Sequence, residues 1–346
     1  MKVSFVALLL ATFSCAAQTP PAPTTQDASP VPTTQGAAPA HQQQQFVGLN
    51  EKEGVSVDRF IGSPDDQPVH LSHGTLLTRK ILAAGNPFQD GPQGDVLEYR
   101  KLLATADLLP GAQTPLETYP DEYFFYVKSG EGRLDDGKQY WDLRPDIAIL
   151  VPPSVAHRFV NTSKDKPLSM IMLQWTAGPD AKNALIVRDT QLLPWCEENA
   201  HWNNTSRCIF GTADGLLRSE RIYAVMLQPW TTSQPHSHGP GTSEEEEVWT
   251  KISPGTIPIL LGSDLREMNE NTAYLVPPTA KTDHSNLNLS KTKTEWWIYF
   301  ARGPVNPNQP PNPNRPQRPA GATPRPGNPN LSRDTSAATL AGKPLK

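Results

Sequence analysis

The sequence Leu150-Val-Pro-Pro-Ser-Val-Ala-His157-Arg-Phe-Val-Asn161 returns later in the chain as Leu275-Val-Pro-Pro-Thr-Ala-Lys-Thr-Asp-His284-Ser-Asn-Leu-Asn288. Upstream of each copy runs a segment from Glu to Gly in eight steps, Glu122 to Gly130 and Glu247 to Gly255. The offset is 125 residues at the Glu and Pro-Pro positions and 127 at the His, because the second copy carries two extra residues before His284. Each block closes on an apolar run, LSMIMLQW over 168–175 and EWWIYF over 295–300. A repeat this long is a duplicated domain rather than a solenoid unit.

Both copies read as short apolar or alternating runs between Gly, Pro, Asp and Asn turns. The runs at 96–103, 123–127, 147–151, 222–227 and 257–261 are examples. No long stretch sustains a 3.6-residue period. Many short strands at close spacing predict an all-β antiparallel sandwich or barrel.

The second copy holds the densest chemistry. His236 and His238 are two apart on an extended segment, so their side chains share one face. Four glutamates, 244–247, follow, and His284 lies downstream. Imidazoles plus a carboxylate suit a divalent transition metal such as Mn, Fe, Ni, Cu or Zn. Glu247 directly precedes the apolar strand; alternation puts Glu245 on the same face and Glu246 on the other, which leaves the choice of glutamate open. Trp230 and Trp249 are candidates to line the same space, or to pack the core.

These residues resemble the cupin family, whose first motif is G-x5-H-x-H-x3-4-E-x6-G and whose second is G-x5-P-x-G-x2-H-x3-N. Pro152, His157 and Asn161 fit the second motif, with Ser154 in place of its inner glycine and Asp146 in place of the leading one. In the second copy His236, His238, Glu247, Gly255, Pro277, His284 and Asn288 fall in order. The His-to-Glu gap is longer than the family's, and the Glu-to-Gly gap is longer by one residue in both copies. The resemblance covers residues 90–180 and 215–302. It implies two tandem jelly-roll barrels, a bicupin, with His236, His238, Glu247 and His284 holding a metal inside the second. It says little about the reaction, since one fold hosts many chemistries.

In the first copy Glu117 and Tyr119 stand at the two His positions, beside Glu122 and His157. That copy is expected to be structural or a metal-free pocket, with His157 a core histidine. His70 and His73 are expected on the inter-domain surface.

The 346 residues carry 31 basic against 35 acidic side chains, a balance that points to neither nucleic acid nor an anionic membrane. Residues 1–17 read as a signal peptide: Lys2, then the apolar run FVALLLATF, too short to span a bilayer. A rival reading makes Cys15 a lipidated first residue. Residues 18–45 and 303–346 are Pro-rich with few large apolar side chains and are expected to be disordered. The remainder divides into a first barrel over 46–180 and a second over 181–302. Cys196 and Cys208 bracket a polar loop, and in an exported chain a disulfide is expected. The expected function is that of a secreted, periplasmic or cell-surface metal-binding bicupin. It acts on a small oxygenated organic substrate, as a dioxygenase first, an oxalate-decarboxylase-like lyase second. The non-enzymatic alternative is a ligand-binding or storage-like bicupin. Pairing of the two barrels within one chain or across a homodimer is open at this point.

Overall fold

The computed structural model describes residues 57–198, 204–217, 219–237, 246–278, 282–303 and 332–345. Among these, the regular structure is β-strand with four single-turn 3-10 helices. The expected leader and signal segment lie outside the described residues.

Two large antiparallel sheets lie back to back. One runs, neighbour by neighbour, Ile186–Asp189, Ile147–Val151, Glu122–Ser129, Leu168–Trp175, Leu102–Leu108, Leu76–Ala84 and Val69–Ser72. The other runs Ile61–Gly62, Ala273–Leu275, Glu246–Lys251, Glu295–Arg302, Arg221–Leu227, Asn204–Phe210 and Glu197–Glu198. A four-stranded sheet completes each barrel: Arg158–Asn161, Gly132–Asp135, Gln139–Leu143 and Lys343–Pro344 for the first, and Thr231–Thr232, His284–Asn288, Ile257–Leu261 and Asp264–Met268 for the second.

Strand alternation explains why these runs are apolar on both faces. Along Glu122–Ser129, Tyr123, Phe125 and Val127 enter the core of the first barrel, while Phe124 and Tyr126 enter a core shared between the barrels. Val248, Ile298 and Phe300 meet them there, with Phe124 and Phe300 ring centroids 5.5 Å apart. Trp249 and Trp297 point the other way, into the second barrel. Each fully buried aromatic contributes about 2–3 kcal/mol of burial. The barrels therefore pair within the chain. Strand exchange reinforces this: Ile61–Gly62 pairs with the second-barrel strand Ala273–Leu275, and Ile186–Asp189 with the first-barrel strand Ile147–Val151.

The repeat extends to the backbone. Asn161 Nδ2 donates to the carbonyls of Leu108 and Lys166, and Asn288 Nδ2 to those of Leu227 and Lys293, so each motif asparagine clasps a loop. Gly130 and Gly255 both take left-handed backbone, φ 87° and 91°. Asp146 (φ 71°) and Ser154 (φ 61°), which stand where the family motif has glycine, are left-handed too. Aspartate tolerates that region better than most side chains.

The run expected at 96–103 is not one strand. It breaks between Asp95–Leu97 and Leu102–Leu108. The break turns Arg100 into the interface, where its guanidinium donates to Glu246 Oε1 at 2.8 Å and the amide of Tyr99 donates to Glu246 Oε2 at 2.7 Å. Glu220, Arg302 and Glu122 complete a buried charged layer.

Glu122 is wholly buried, and its Oε2 accepts from Trp175 Nε1 at 3.0 Å. Burial, then the Glu220 carboxylate, push its pKa up from 4.5 to about 7, against the Trp175 hydrogen bond and the Arg302 charge. The folded protein thus keeps a proton that the unfolded chain releases between pH 4.5 and about 7. Stability falls as pH rises through that window and levels off above it. Glu122→Gln removes the linkage: its melting temperature is expected to exceed that of the wild type at pH 8, by the equivalent of roughly 2 kcal/mol, and to approach it at pH 5. Thermal melts at the two pH values check this; a variant with the wild-type slope contradicts it.

The expectation of a disordered tail over 303–346 does not hold for residues 332–345. Leu340 packs against the first-barrel core, its amide donates to Val187 O, and its carbonyl accepts from Trp141 Nε1 at 3.0 Å. Lys343–Pro344 pairs with Tyr140 and Gln139 as an added edge strand. The small apolar residues Ala338 and Leu340, sparse in a Pro-rich context, suffice because the barrel already offers a matching edge. Ending the chain at residue 331 is expected to red-shift the Trp141 emission and to cost about 2 kcal/mol, from lost apolar burial and one buried hydrogen bond. Unchanged fluorescence and melting would contradict this anchoring.

Cys196 and Cys208 form the expected disulfide, with a Cα–Cα distance of 5.8 Å.

Candidate metal centre

His236 and His284 face each other across an antiparallel bridge, with the His284 amide donating to His236 O at 2.9 Å. That pairing sets their rings side by side, centroids 4.2 Å apart. Glu247 reaches the same point from the Glu246–Lys251 strand, because its alternate residues face the barrel interior. Its Oε1 lies 3.1 Å from His284 Nε2. Donor atoms of His236, Glu247 and His284 all lie within 4.8 Å of one another. His284 and Glu247 are buried and His236 half-buried, as at the mouth of a barrel.

The surroundings orient these groups. Trp249 Nε1 donates to Glu247 Oε1 at 2.7 Å, and Tyr299 OH donates to Oε2 at 3.3 Å. His236 Nδ1 donates to the Gln234 carbonyl at 3.0 Å, which fixes the tautomer with Nε2 unprotonated. Tyr274 stays a neutral phenol, its pKa raised by burial and then by the Glu247 charge, and donates to Asn286 Oδ1 at 2.9 Å. Imidazole nitrogens converging with one carboxylate are a donor set that fits a divalent transition metal.

The fourth expected ligand, His238, lies outside the described residues, as do Glu244 and Glu245. Of the described glutamates, Glu247 faces the barrel and Glu246 turns to Arg100 in the interface, as alternation requires. Trp249 is buried beside the carboxylate, whereas Trp230 is 61 % exposed.

The first barrel differs from expectation in two respects. Phe124 lies opposite Leu150, and Val248 opposite Leu275, so the residue matching Glu247 is Tyr123, not Glu122. Glu122 belongs instead to the interface. The Glu117–His157 bridge does repeat the His236–His284 bridge. The second difference is His73. It is not on the inter-domain surface: its ring is 4 % exposed and sits inside the first barrel, with centroids 4.2 Å from Tyr119, 4.8 Å from Tyr123 and 5.2 Å from His157. His70 remains exposed. The one sequence signal for His73 is the His73-Gly74 pair between two strand runs. It reads as a hairpin turn, and both residues are left-handed, φ 47° and 73°.

Residues 104–174, within the first barrel, match the family described as Cupin domain. The fold is of the cupin jelly-roll type, with two barrels in one chain. The chain is similar in structure to oxalate decarboxylase from Bacillus subtilis (TM-score 0.52, 10 % identity, 72 % of this chain and 77 % of that one). It is similar also to AerE from Microcystis aeruginosa (TM-score 0.51, 13 % identity, 70 % and 99 %) and to the protein Ylba from E. coli (TM-score 0.51, 12 % identity, 70 % and 89 %). At such identities the likeness is one of fold. No curated protein matches the sequence. Among the described residues, no helix is long and apolar enough to cross a membrane.

Proposed function

We propose that this bicupin is an exported enzyme. It holds a divalent transition metal in the second barrel through His236, His238, Glu247 and His284, and acts there on a small oxygenated organic molecule. The observation that carries the reading is the convergence of His236, Glu247 and His284 donors to within 4.8 Å at a barrel mouth. Three neutral imidazoles and one carboxylate around a divalent cation leave a formal charge near +1, which suits an enolate or carboxylate ligand. Bound there, the metal supplies Lewis-acid polarisation or, if redox-active, access to dioxygen. The chain's own residues do the rest. Trp249 and Tyr299 hold the Glu247 carboxylate in place, and Gln234 O holds the His236 tautomer. The Cys196–Cys208 disulfide supports an oxidising compartment.

Oxidation of an enolisable substrate by dioxygen is the leading reaction. Decarboxylation of oxalate is the second reading, favoured by the similarity in fold to an oxalate decarboxylase. Oxygen uptake and CO2 release by metal-loaded protein separate them. Oxygen consumed in proportion to an enolisable substrate, and lost in His236→Ala, is the expected result. CO2 from oxalate without net oxygen uptake would establish the second reading. Ligand binding with neither product would leave a binding protein.

A further inference from the structure

We propose that two turns at one end of the second barrel, residues 228–230 and 289–293, dock the protein on an anionic lipid surface. Trp230 and Leu289 sit at the headgroup level, with Lys291 and Lys293 against the lipid phosphates. The inference uses no residue of the metal centre and does not depend on it.

Backbone conformation carries the first step. Trp230 is left-handed, φ 54°, and its amide donates to Ser290 O at 3.0 Å. The first barrel makes the same turn at Leu109-Pro110-Gly111, where Gly111 has φ 69° and its amide donates to Ser163 O at 2.9 Å. The asparagine clasps fix the match: Asn161 binds the carbonyls of Leu108 and Lys166 where Asn288 binds those of Leu227 and Lys293. A turn with proline at its second position and positive φ at its third calls for glycine there. The second barrel sets a tryptophan on that position, next to Pro229. Backbone strain of this kind persists where the side chain has a use. With the ring 61 % exposed, that use faces outward.

Side-chain chemistry carries the second step. Continuing the Thr231–Asn288 register by one residue sets Leu289, 53 % exposed, opposite Trp230. The first barrel has Thr162 in place of Leu289 and Asp165 in place of Thr292, and keeps one exposed leucine, Leu109. Lys291 and Lys293 are exposed, and among the described residues neither is in an ion pair. The two turns hold no carboxylate, and Glu295 beyond them is buried against Lys251. An amphipathic indole, an aliphatic side chain and two ammonium groups match the boundary between headgroups and acyl chains of an acidic bilayer. The whole chain has a net charge of -4, so the attraction is local to this tip and orients the molecule. The tip is also rigid. Ser290 Oγ accepts from the amides of Thr292 and Lys293 at 3.3 and 2.8 Å, and Thr231 Oγ1 donates to Gln228 O at 2.6 Å. Docking therefore orders little chain. Leu289 follows the far end of the strand His284–Asn288, about 16 Å from His284 at roughly 3.3 Å per residue, so the tip and the metal centre lie at opposite ends of that strand.

The test is co-flotation of the full chain with vesicles of equal parts phosphatidylglycerol and phosphatidylcholine, against vesicles of phosphatidylcholine alone. Brominated lipid serves as a quencher of tryptophan emission. The wild type is expected to float with the anionic vesicles, to be quenched there, and to bind the neutral ones about 25-fold more weakly, at about fivefold per lysine. Trp230→Gly gives the turn the residue its sister has. It is expected to keep the circular-dichroism spectrum, to lose the quenching, and to bind at least about tenfold more weakly. The triple variant Trp230→Gly, Leu289→Thr, Thr292→Asp rebuilds the first barrel's tip and should not float. Lys291→Gln with Lys293→Gln should lose about 25-fold on the anionic vesicles and nothing on the neutral ones. A wild type that floats with neither vesicle, or with both alike, overturns the proposal, as does a Trp230→Gly protein that floats like the wild type. A wild type that pairs in solution and separates on Trp230→Gly overturns it too, since the tip is then covered by a second copy of the chain.

Discussion

His284→Ala is expected to reduce retention of the second-barrel metal by at least about 100-fold, since it removes an inner ligand where loss of an outer partner alone costs 10–100-fold. His284 Nε2 is 3.1 Å from Glu247 Oε1, and the two side chains are among the most buried polar groups of the barrel. Without the imidazole, the cation would lose a fixed nitrogen on the side facing Glu247, and no other described imidazole is placed to replace it. The fold should survive. The backbone bridge of His284 to His236 does not need the side chain, and the strand His284–Asn288 stays tied to Ile257–Leu261. Metal content after dialysis, with circular dichroism as the control for folding, reads the effect. Wild-type metal content in the folded variant would remove His284 from the ligand set.

Arg100→Met is expected to destabilise the protein by about 3–5 kcal/mol, the cost of leaving buried charge without its partner. Arg100 is 1 % exposed. Its guanidinium donates to Glu246 Oε1 at 2.8 Å and lies 3.9 Å from Glu220. Glu246 and Glu220 are as deeply buried, and Glu122 stands nearby with its own raised pKa. Removing Arg100 leaves Arg302, 3.6 Å from Glu220, as the main cation of the layer. The shift in melting temperature should be about 10 °C. The double variant Arg100→Met, Glu246→Leu replaces the pair by apolar side chains and is expected to recover most of the loss, because exchanging a buried ion pair for packing is often neutral. Denaturant midpoints for the three proteins decide. An Arg100→Met protein within about 1 kcal/mol of wild type would show that water reaches this layer.

Much of this was legible in the residues. The paired Pro-Pro-to-Asn segments and the closing apolar runs place the two barrels. The strands Ile147–Val151, Leu168–Trp175 and Ile257–Leu261 fall where the apolar runs stand, because both faces of those strands are buried or nearly so. The convergence of His236, Glu247 and His284 follows from motif order. Four features were hidden for physical reasons. Glu122 aligns with Glu247 by residue type, but pairing with Leu150 and Leu275 shifts the true match by one, which sends Glu122 to the interface; a slip of one residue exchanges the faces of a strand. Arg100 sits inside the run expected at 96–103, and its partner, Glu246 of the opposite barrel, is set only by the fold. His73 precedes the motif region altogether. A hairpin turn delivers it into the barrel, and no periodicity encodes that long-range insertion. The last strand, Lys343–Pro344, is likewise set by an edge that only the folded barrel offers.

The most direct measurement is an anomalous difference map from crystals of the full chain soaked in turn with Mn(II), Fe(II), Ni(II), Cu(II) and Zn(II), recorded on both sides of each metal's absorption edge. A peak at about 2.0–2.2 Å from the imidazole nitrogens of His236 and His284 and from a Glu247 oxygen, with His238 turned in as the fourth ligand, is the expected result. Maps without a peak beside Glu247 for any of the five metals would contradict a metal centre in the second barrel.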